Sequence, residues 1–310
     1  MEPIAFLPIY MPRVWGGRSL ETTYQRELPD NQPYGESWEM SDRPDEQSIV
    51  AAGNYAGKSL HDLWTNHREE IFGEGLTGDR FPLLIKILDA RDDLSIQVHP
   101  PTKVADELGG DPKTEMWYIA DCDPGANLYI GLKNGCTRET FEQSLTDGTV
   151  EKQVHAVSPE PGESIFIPSG RLHAIGAGFL IYEIQQNSDT TYRVFDWNRV
   201  GLDGTPRDLH IEKSMASIDF EDFEPGMDKP DGDTLAACEY FVVTRHSVAA
   251  GAGIENSNDS FSILTVISGE IESNEGCTFK TGEFLILPRN ANPLTAKTTC
   301  QILRTSLPRS

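Results

Sequence analysis

Four residues of this chain have the side chains and the spacing to hold one metal ion. Gln97 and His99 stand two apart in Leu94-Ser-Ile-Gln-Val-His-Pro100. Glu115 lies in Lys113-Thr-Glu-Met-Trp-Tyr-Ile119, and His173 ends the run Gly162-Glu-Ser-Ile-Phe-Ile-Pro-Ser-Gly-Arg-Leu-His173. Two imidazoles, a carboxylate and an amide oxygen suit a borderline divalent ion, with a position left for water or substrate. Each piece alone says little, since a lone histidine is more often structural; the ordered set says more. Cations accompany it. Lys86 interrupts an apolar run, and lysine goes inside only with a partner or at a rim. Lys113 shares a strand face with Glu115 and Trp117. A lysine buried beside a metal is expected to have a lowered pKa, which suits proton transfer.

Strands must carry these groups. Alternation over 94–100 puts Leu94, Ile96 and Val98 on one face and Ser95, Gln97 and His99 on the other. Such a polar face lies against water or inside a barrel that holds a site. The spacing Gly162-x5-Pro168-x-Gly170-x2-His173 predicts a half-buried strand. Pro168 ends it, having no N–H for the ladder. Gly170 permits a tight reversal, which delivers His173 to the next strand. Further strands are expected at 81–90, 113–119 and 127–132. Helices are expected near 59–73, capped by Ser59, and 137–145, capped by Thr137. His61 and His67 do not share a helix face and read as surface residues; His155 reads as structural. Trp15 and Trp38 read as core, with Glu36 and Glu39 as supporting groups around the site.

From 217 the chain turns acidic and broken, which reads as a linker. A run of short strands follows. Within it Gly282-x5-Pro288 repeats Gly162-x5-Pro168, with Gly-Glu at both starts and Pro293 where the first copy has His173. The repeat predicts two barrels, the second without metal ligands.

The 310 residues carry a formal charge of −23, which disfavours nucleic acid and anionic membranes as partners. No apolar run reaches membrane-spanning length, and the N-terminal residues lack the basic start of a signal peptide. The five cysteines are scattered without a C-x-x-C pair, as expected of reduced thiols in a cytoplasmic protein. An anionic substrate would need cations gathered locally against the overall field.

Gln97-Val-His99-Pro, Lys113-Thr-Glu115-Met-Trp, Ile167-Pro-Ser-Gly-Arg-Leu-His173-Ala and Asn187-Ser-Asp189-Thr-Thr-Tyr-Arg193 together resemble the type I mannose-6-phosphate isomerases (phosphomannose isomerases) in their short bacterial form. Trp15-Gly-Gly and Gly35-Glu-Ser-Trp-Glu match as well, and the resemblance spans about residues 6–215. It implies a mainly β fold of two cupin (jelly-roll) β-barrels with a small helical insertion. Residues 1–218 would form the catalytic domain, and 219–310 a linker and a degenerate cupin. It implies one Zn2+ per chain on Gln97, His99, Glu115 and His173, and interconversion of mannose 6-phosphate and fructose 6-phosphate through an enediol. It places the family's catalytic arginine on Arg193. The residue types agree with that chemistry. Lys113, Lys86 and Glu183 are candidates for proton transfer and ring opening; Ser95, Lys86 and Arg171 for holding the phosphate. A structural alternative for Arg193 is a salt bridge to Asp189 or Asp196. A non-catalytic sugar-binding cupin would need neither Arg193 nor the lysines, and a cupin iron oxygenase would need no phosphate-binding cations. The expected partner is a small sugar phosphate, with the chain a monomer or weak dimer.

Overall fold

A computed structural model describes residues 1–308. The chain is mainly β and divides into two compact units, each discontinuous in sequence. Residues 10–37 and 86–228 form one unit; residues 1–9, 38–85 and 229–310 form the other. Among the described residues no helix is long and apolar enough to cross a membrane.

The first unit is built on two sheets. One has the strand order Ser164–Ile167, Glu115–Cys122, Phe179–Gln186, Leu83–Ala90, Ile9–Gly17, Tyr34–Met40. The other runs Tyr192–Phe195, Ile96–Val98, His173–Ile175, Leu128–Leu132, Val154–Val157. Trp15, Leu88, Trp117, Ile165 and Ile181 from the first sheet share one core with Leu128, Ile130 and Ile175 from the second. A second core covers the other face of the five-stranded sheet. There Ile96, Val98, Ala174 and Val194 meet Phe141 and Met215, which lie on the helices Arg138–Asp147 and Ile211–Ser217. With Ile96 and Val98 committed to that side, Gln97 between them turns to the other. Leu94 departs from the expected alternation. The strand begins only at Ile96, and Leu94 packs in the core between the sheets.

Register then brings the candidate residues abreast. Gln97 pairs with His173 on one side and with Arg193 on the other. Glu115 faces Ile167 on one neighbour and Gln185 on the other, and Trp117 faces Glu183. Backbone pairing alone therefore aligns groups that lie up to 96 positions apart on neighbouring strands.

The second unit repeats the plan. Its seven-stranded sheet runs Thr234–Ala237, Val242–Val248, Cys300–Ser306, Ser262–Ser268, Phe284–Leu287, Ile4–Leu7, Ile49–Val50. Leu264, Leu285 and Ile302 from that sheet share a core with Ile254, Ile271 and Leu294 from a four-stranded sheet. The helices Leu60–Asn66 and Arg68–Ile71 belong here, and Ser59 caps the first by accepting the Asp62 N–H. Phe72 packs edge-on against Phe261 with ring centroids 5.1 Å apart. The compact units thus do not follow a single cut after residue 218. The physical reason is non-local: Ile4–Leu7 pairs with Phe284–Leu287, an association that no local pattern marks. The expected barrels are open two-sheet sandwiches, each sheet keeping two outer edges among the described residues.

The internal repeat is visible in the backbone. Gly162 and Gly170 have φ of 93° and 95°, and Gly282 and Asn290 at the same offsets have 82° and 56°. Each pair of left-handed residues flanks a strand, Ser164–Ile167 in one copy and Phe284–Leu287 in the other. At Gly170 a Cβ would also meet Pro101 Cγ at 3.2 Å and the Ser217 carbonyl at 3.3 Å. Gly170→Ala should lower the unfolding free energy by roughly 1–2 kcal/mol, the cost of forcing a side chain into this conformation. Urea unfolding measures it, and an unchanged midpoint would contradict the account of the turn.

Candidate active site

His99, Glu115 and His173 bring one donor atom each to within 4.8 Å of one another, and all three side chains are buried. His99 Nε2 lies 3.7 Å from Glu115 Oε2, and His173 Nε2 lies 3.6 Å from Oε1. The opposite ring nitrogens are engaged: His99 Nδ1 meets the Thr190 carbonyl at 2.8 Å, and His173 Nδ1 meets the Arg171 carbonyl at 2.9 Å. A carbonyl can only accept, so each ring carries its proton on Nδ1 and turns an Nε2 lone pair to Glu115. Burial pushes the His173 pKa down to about 3. Burial, with Lys113 beside it, lowers that of His99 too. Both rings are therefore neutral near pH 7.

Glu115 is fully buried; the Lys113 ammonium stands 2.6 Å from Oε2, while Oε1 receives no hydrogen bond. Burial disfavours its charge, but the Lys113 ammonium together with His99 and His173 outweighs this and holds the carboxyl well below its ordinary range. A buried carboxylate with one oxygen left without a hydrogen bond is expensive. Two imidazole lone pairs turned to it make the donor set of a divalent cation. The Gln97 amide adjoins the set, with Nε2 3.3 Å from His173 Nε2 and Oε1 accepting from Ser95 Oγ at 3.2 Å. A half-turn of that amide would present its oxygen to the cluster. The residues present therefore fit a metal ion.

A cavity of about 560 Å³ opens beside the cluster, lined by Ser95, Gln97, Lys113, His173, Glu183 and Arg193 among others. Glu183 Oε1 accepts from Trp117 Nε1 at 3.1 Å. Its Oε2 is buried and receives no hydrogen bond, although Lys86 Nζ stands 3.5 Å away. Burial raises the Glu183 pKa; Lys113 opposes the rise and Glu115 adds to it. Lys113 departs from the expected lowering. Burial would lower it, but Glu115 and Glu183 outweigh burial and hold the ammonium charged. Lys86 points into the cavity and faces Glu36 at 3.6 Å, Glu183 at 3.5 Å and Asp189 at 3.9 Å.

The structure brings together Ser95, Gln97, His99, Glu115, His173, Lys86, Lys113, Glu183 and Arg193. It sets Arg171 apart. Both edges of that guanidinium are engaged, at 2.8 and 2.9 Å from Asp222 and at 2.7 Å from the Phe166 carbonyl, and it does not line the cavity. Arg171 thus braces the reversal whose carbonyl orients His173. The alternative of a salt bridge from Arg193 to Asp189 or Asp196 is not formed. Asp196 is held by Arg199 and Arg207, and Asp189 faces Lys86. Arg193 Nη1 donates to the Asp208 carbonyl at 3.0 Å, while Nε is buried without a partner. Sequence reasoning missed Arg13, Arg207 and His210, all in the cavity wall. Arg13 donates to Glu36 at 3.0 Å. Arg207-Asp-Leu-His210 lies in a polar loop with no periodicity; its one sequence signal is a basic pair just ahead of a helix.

Comparisons with known proteins point the same way. A family model for the catalytic domain of type I phosphomannose isomerase matches residues 6–132, and one for the cupin domain of mannose-6-phosphate isomerase matches residues 232–307. The mannose-6-phosphate isomerase ManA of Bacillus subtilis is 38% identical over 299 residues, 93% of each chain. The solved mannose 6-phosphate isomerase of Bacillus subtilis superposes with a TM-score of 0.89 at 34% identity, covering 99% of this chain and 100% of that one. A mannose 6-phosphate isomerase solved with zinc and yttrium shares the fold, with a TM-score of 0.76 at 18% identity over 100% of both chains.

The histidine geometry predicts a pH dependence. The folded-state pKa of His173 is about 3 against an ordinary 6.5, so between these values the unfolded chain binds the extra proton. Stability due to its neutral burial is complete above about pH 6.5 and is lost as pH falls, at up to about 1.4 kcal/mol per pH unit. Metal-free protein unfolded in urea between pH 7 and 5 should show a steeper loss than His173→Gln. Parallel slopes would contradict the buried neutral ring.

Proposed function

The chain belongs to the type I phosphomannose isomerase family and is an aldose–ketose isomerase, and we propose that it interconverts mannose 6-phosphate and fructose 6-phosphate through an enediol with one bound zinc ion. The observation that carries this reading is Glu115, a buried carboxylate answered by Lys113 on one oxygen and by no hydrogen bond on the other, set between two neutral imidazoles beside a cation-lined cavity. His99, Glu115 and His173 would hold the ion, with the Gln97 amide as a fourth donor. When bound, zinc supplies a Lewis acid beside the sugar oxygens.

The chain's own residues divide the remaining work. The proton on C2 of the aldose must move to C1, and the hydroxyl proton on O2 must reach the oxygen on C1. Glu183 suits the carbon-to-carbon transfer. Its raised pKa brings a carboxylate nearer the working range of a general base, and Trp117 fixes one oxygen while the other stays unbonded. Lys113 remains charged and supplies positive potential rather than a base. Lys86, ringed by carboxylates, helps to hold Glu183 in place. Arg193 has a permanent charge with no carboxylate pair, and we assign it to the developing enediolate oxygen. Ser95 Oγ, on the cavity wall, is placed to meet a sugar hydroxyl. The five cysteines are all free, which supports a reducing, cytoplasmic setting.

Turnover of mannose 6-phosphate to fructose 6-phosphate tests the reading. Chelation should abolish activity and zinc should restore it; full activity in protein shown metal-free by elemental analysis would refute the zinc dependence. Arg193→Ala should lower kcat by roughly 10²-fold or more with a smaller change in KM, since the interaction is made mainly in the transition state. Arg193→Lys should rescue poorly, because lysine lacks the planar fork. Loss of zinc or of folding in Arg193→Ala would make the residue structural instead.

A further inference from the structure

In a hexose 6-phosphate the phosphate sits at the opposite end of the carbon chain from C1 and C2. It must therefore be held away from the metal cluster. The cations nearest that cluster are already answered by carboxylates. Lys113 lies against Glu115 and Glu183, Lys86 against Glu36, Glu183 and Asp189, and Arg13 against Glu36. A second group of hydrogen-bond donors stands apart. Arg193, Arg207 and His210 line the main cavity and also an adjoining one, whose wall includes none of the metal-cluster residues.

The chemistry of this group is that of an anion site. Arg193, already assigned to the reacting oxygen, bounds this group on its inner side, and among the described residues it has no ion-pair partner. Asp196 is shared by two guanidiniums, accepting from Arg199 at 3.1 Å and from Arg207 Nε at 2.7 Å. Arg199 also reaches the exposed Asp92 at 3.4 Å, so Asp196 is the buried carboxylate that the two share. Arg207 turns Nε and Nη2 to Asp196, which leaves Nη1 for a ligand. His210 Nδ1 accepts the Arg193 backbone N–H at 3.2 Å, so the ring proton lies on Nε2 and can be donated. Asp203 is turned to Thr205, whose N–H and hydroxyl it accepts at 3.0 and 2.7 Å, and Asp208 is exposed. Planar guanidinium forks and an imidazole N–H suit tetrahedral phosphate oxygens.

We propose that Arg207 and His210, beside Arg193, form the subsite that holds the substrate's phosphate. The inference rests on the isomerase reading for its substrate, but the anion site itself can be tested without turnover. It takes over the role first expected of Arg171, which is bound to Asp222, and of Lys86, which is surrounded by carboxylates.

Two measurements on the full-length, zinc-loaded chain test it: calorimetric titration with inorganic phosphate, and steady-state kinetics with mannose 6-phosphate. Arg207→Gln should weaken phosphate binding roughly tenfold or more, the scale of losing one charge-assisted hydrogen bond. Its KM should rise by a similar factor, with kcat changed far less. His210→Asn can still accept the Arg193 N–H but lacks the far ring N–H; it should shift both quantities in the same direction by less. If Arg207→Gln does not fold, Arg207→Lys keeps a charge for Asp196 without the fork and should still weaken phosphate binding. Phosphate affinity equal to wild type in the folded Arg207 variant and in His210→Asn would overturn the subsite, even in an active isomerase. A wild type that binds phosphate through Arg207 yet does not isomerise mannose 6-phosphate would overturn the isomerase reading and leave the anion site standing.

Discussion

The site depends on one unfavourable burial. Glu115 is out of contact with water, so its charge must be answered by cations. Lys113 does so at 2.6 Å. The two imidazole lone pairs beside it have no proton to offer Glu115; Lys113 Nζ stands 3.4 Å from His99 Nε2, and the Gln97 amide 3.3 Å from His173 Nε2. A divalent cation placed among the three would take a donor atom from each of them. Much of the surroundings follows from keeping that arrangement intact. The Thr190 and Arg171 carbonyls fix the tautomers, and the Arg171–Asp222 pair braces the turn that supplies one of those carbonyls.

The same electrostatic logic extends outward by alternation of sign. Lys113 is shared by Glu115 and Glu183, Glu183 leads to Lys86, Lys86 to Glu36, and Glu36 to Arg13. Each charge is answered by the next, so the inner cavity presents paired charges. At Arg193, Arg207 and Arg199 the alternation breaks, because Asp196 is the only buried carboxylate among them. In a chain of formal charge −23, these guanidiniums outnumber the buried carboxylates beside them.

The convergence of the candidate metal donors was legible in the sequence because local rules place them. Alternation turns Gln97 and His99 away from Ile96 and Val98, and the Gly–Pro–Gly spacing forces the reversal before His173. The helix caps at Ser59 and Thr137 were legible for the same reason. Arg171 was misjudged because its partner, Asp222, lies 51 positions on, in a segment that read as linker. Lys113 was expected to lose charge through burial, but sequence could not show that two buried carboxylates would converge on it. The membership of residues 1–9 in the unit containing the C-terminal strands was invisible for a related reason, since strand pairing over such a distance leaves no periodic signature. Arg207 and His210 lie in an irregular loop, where function leaves no pattern in a single sequence.

The central claim is that a cation belongs among His99, Glu115 and His173. X-ray absorption spectroscopy of the zinc-loaded protein tests it most directly, because the fine structure reports the atoms bound to the ion independently of any activity. The account predicts a shell of nitrogen and oxygen donors only, with the outer-shell scattering of two imidazoles, reduced to one imidazole in His173→Gln. A shell containing sulfur, or one without imidazole scattering, would place the ion elsewhere and contradict the account.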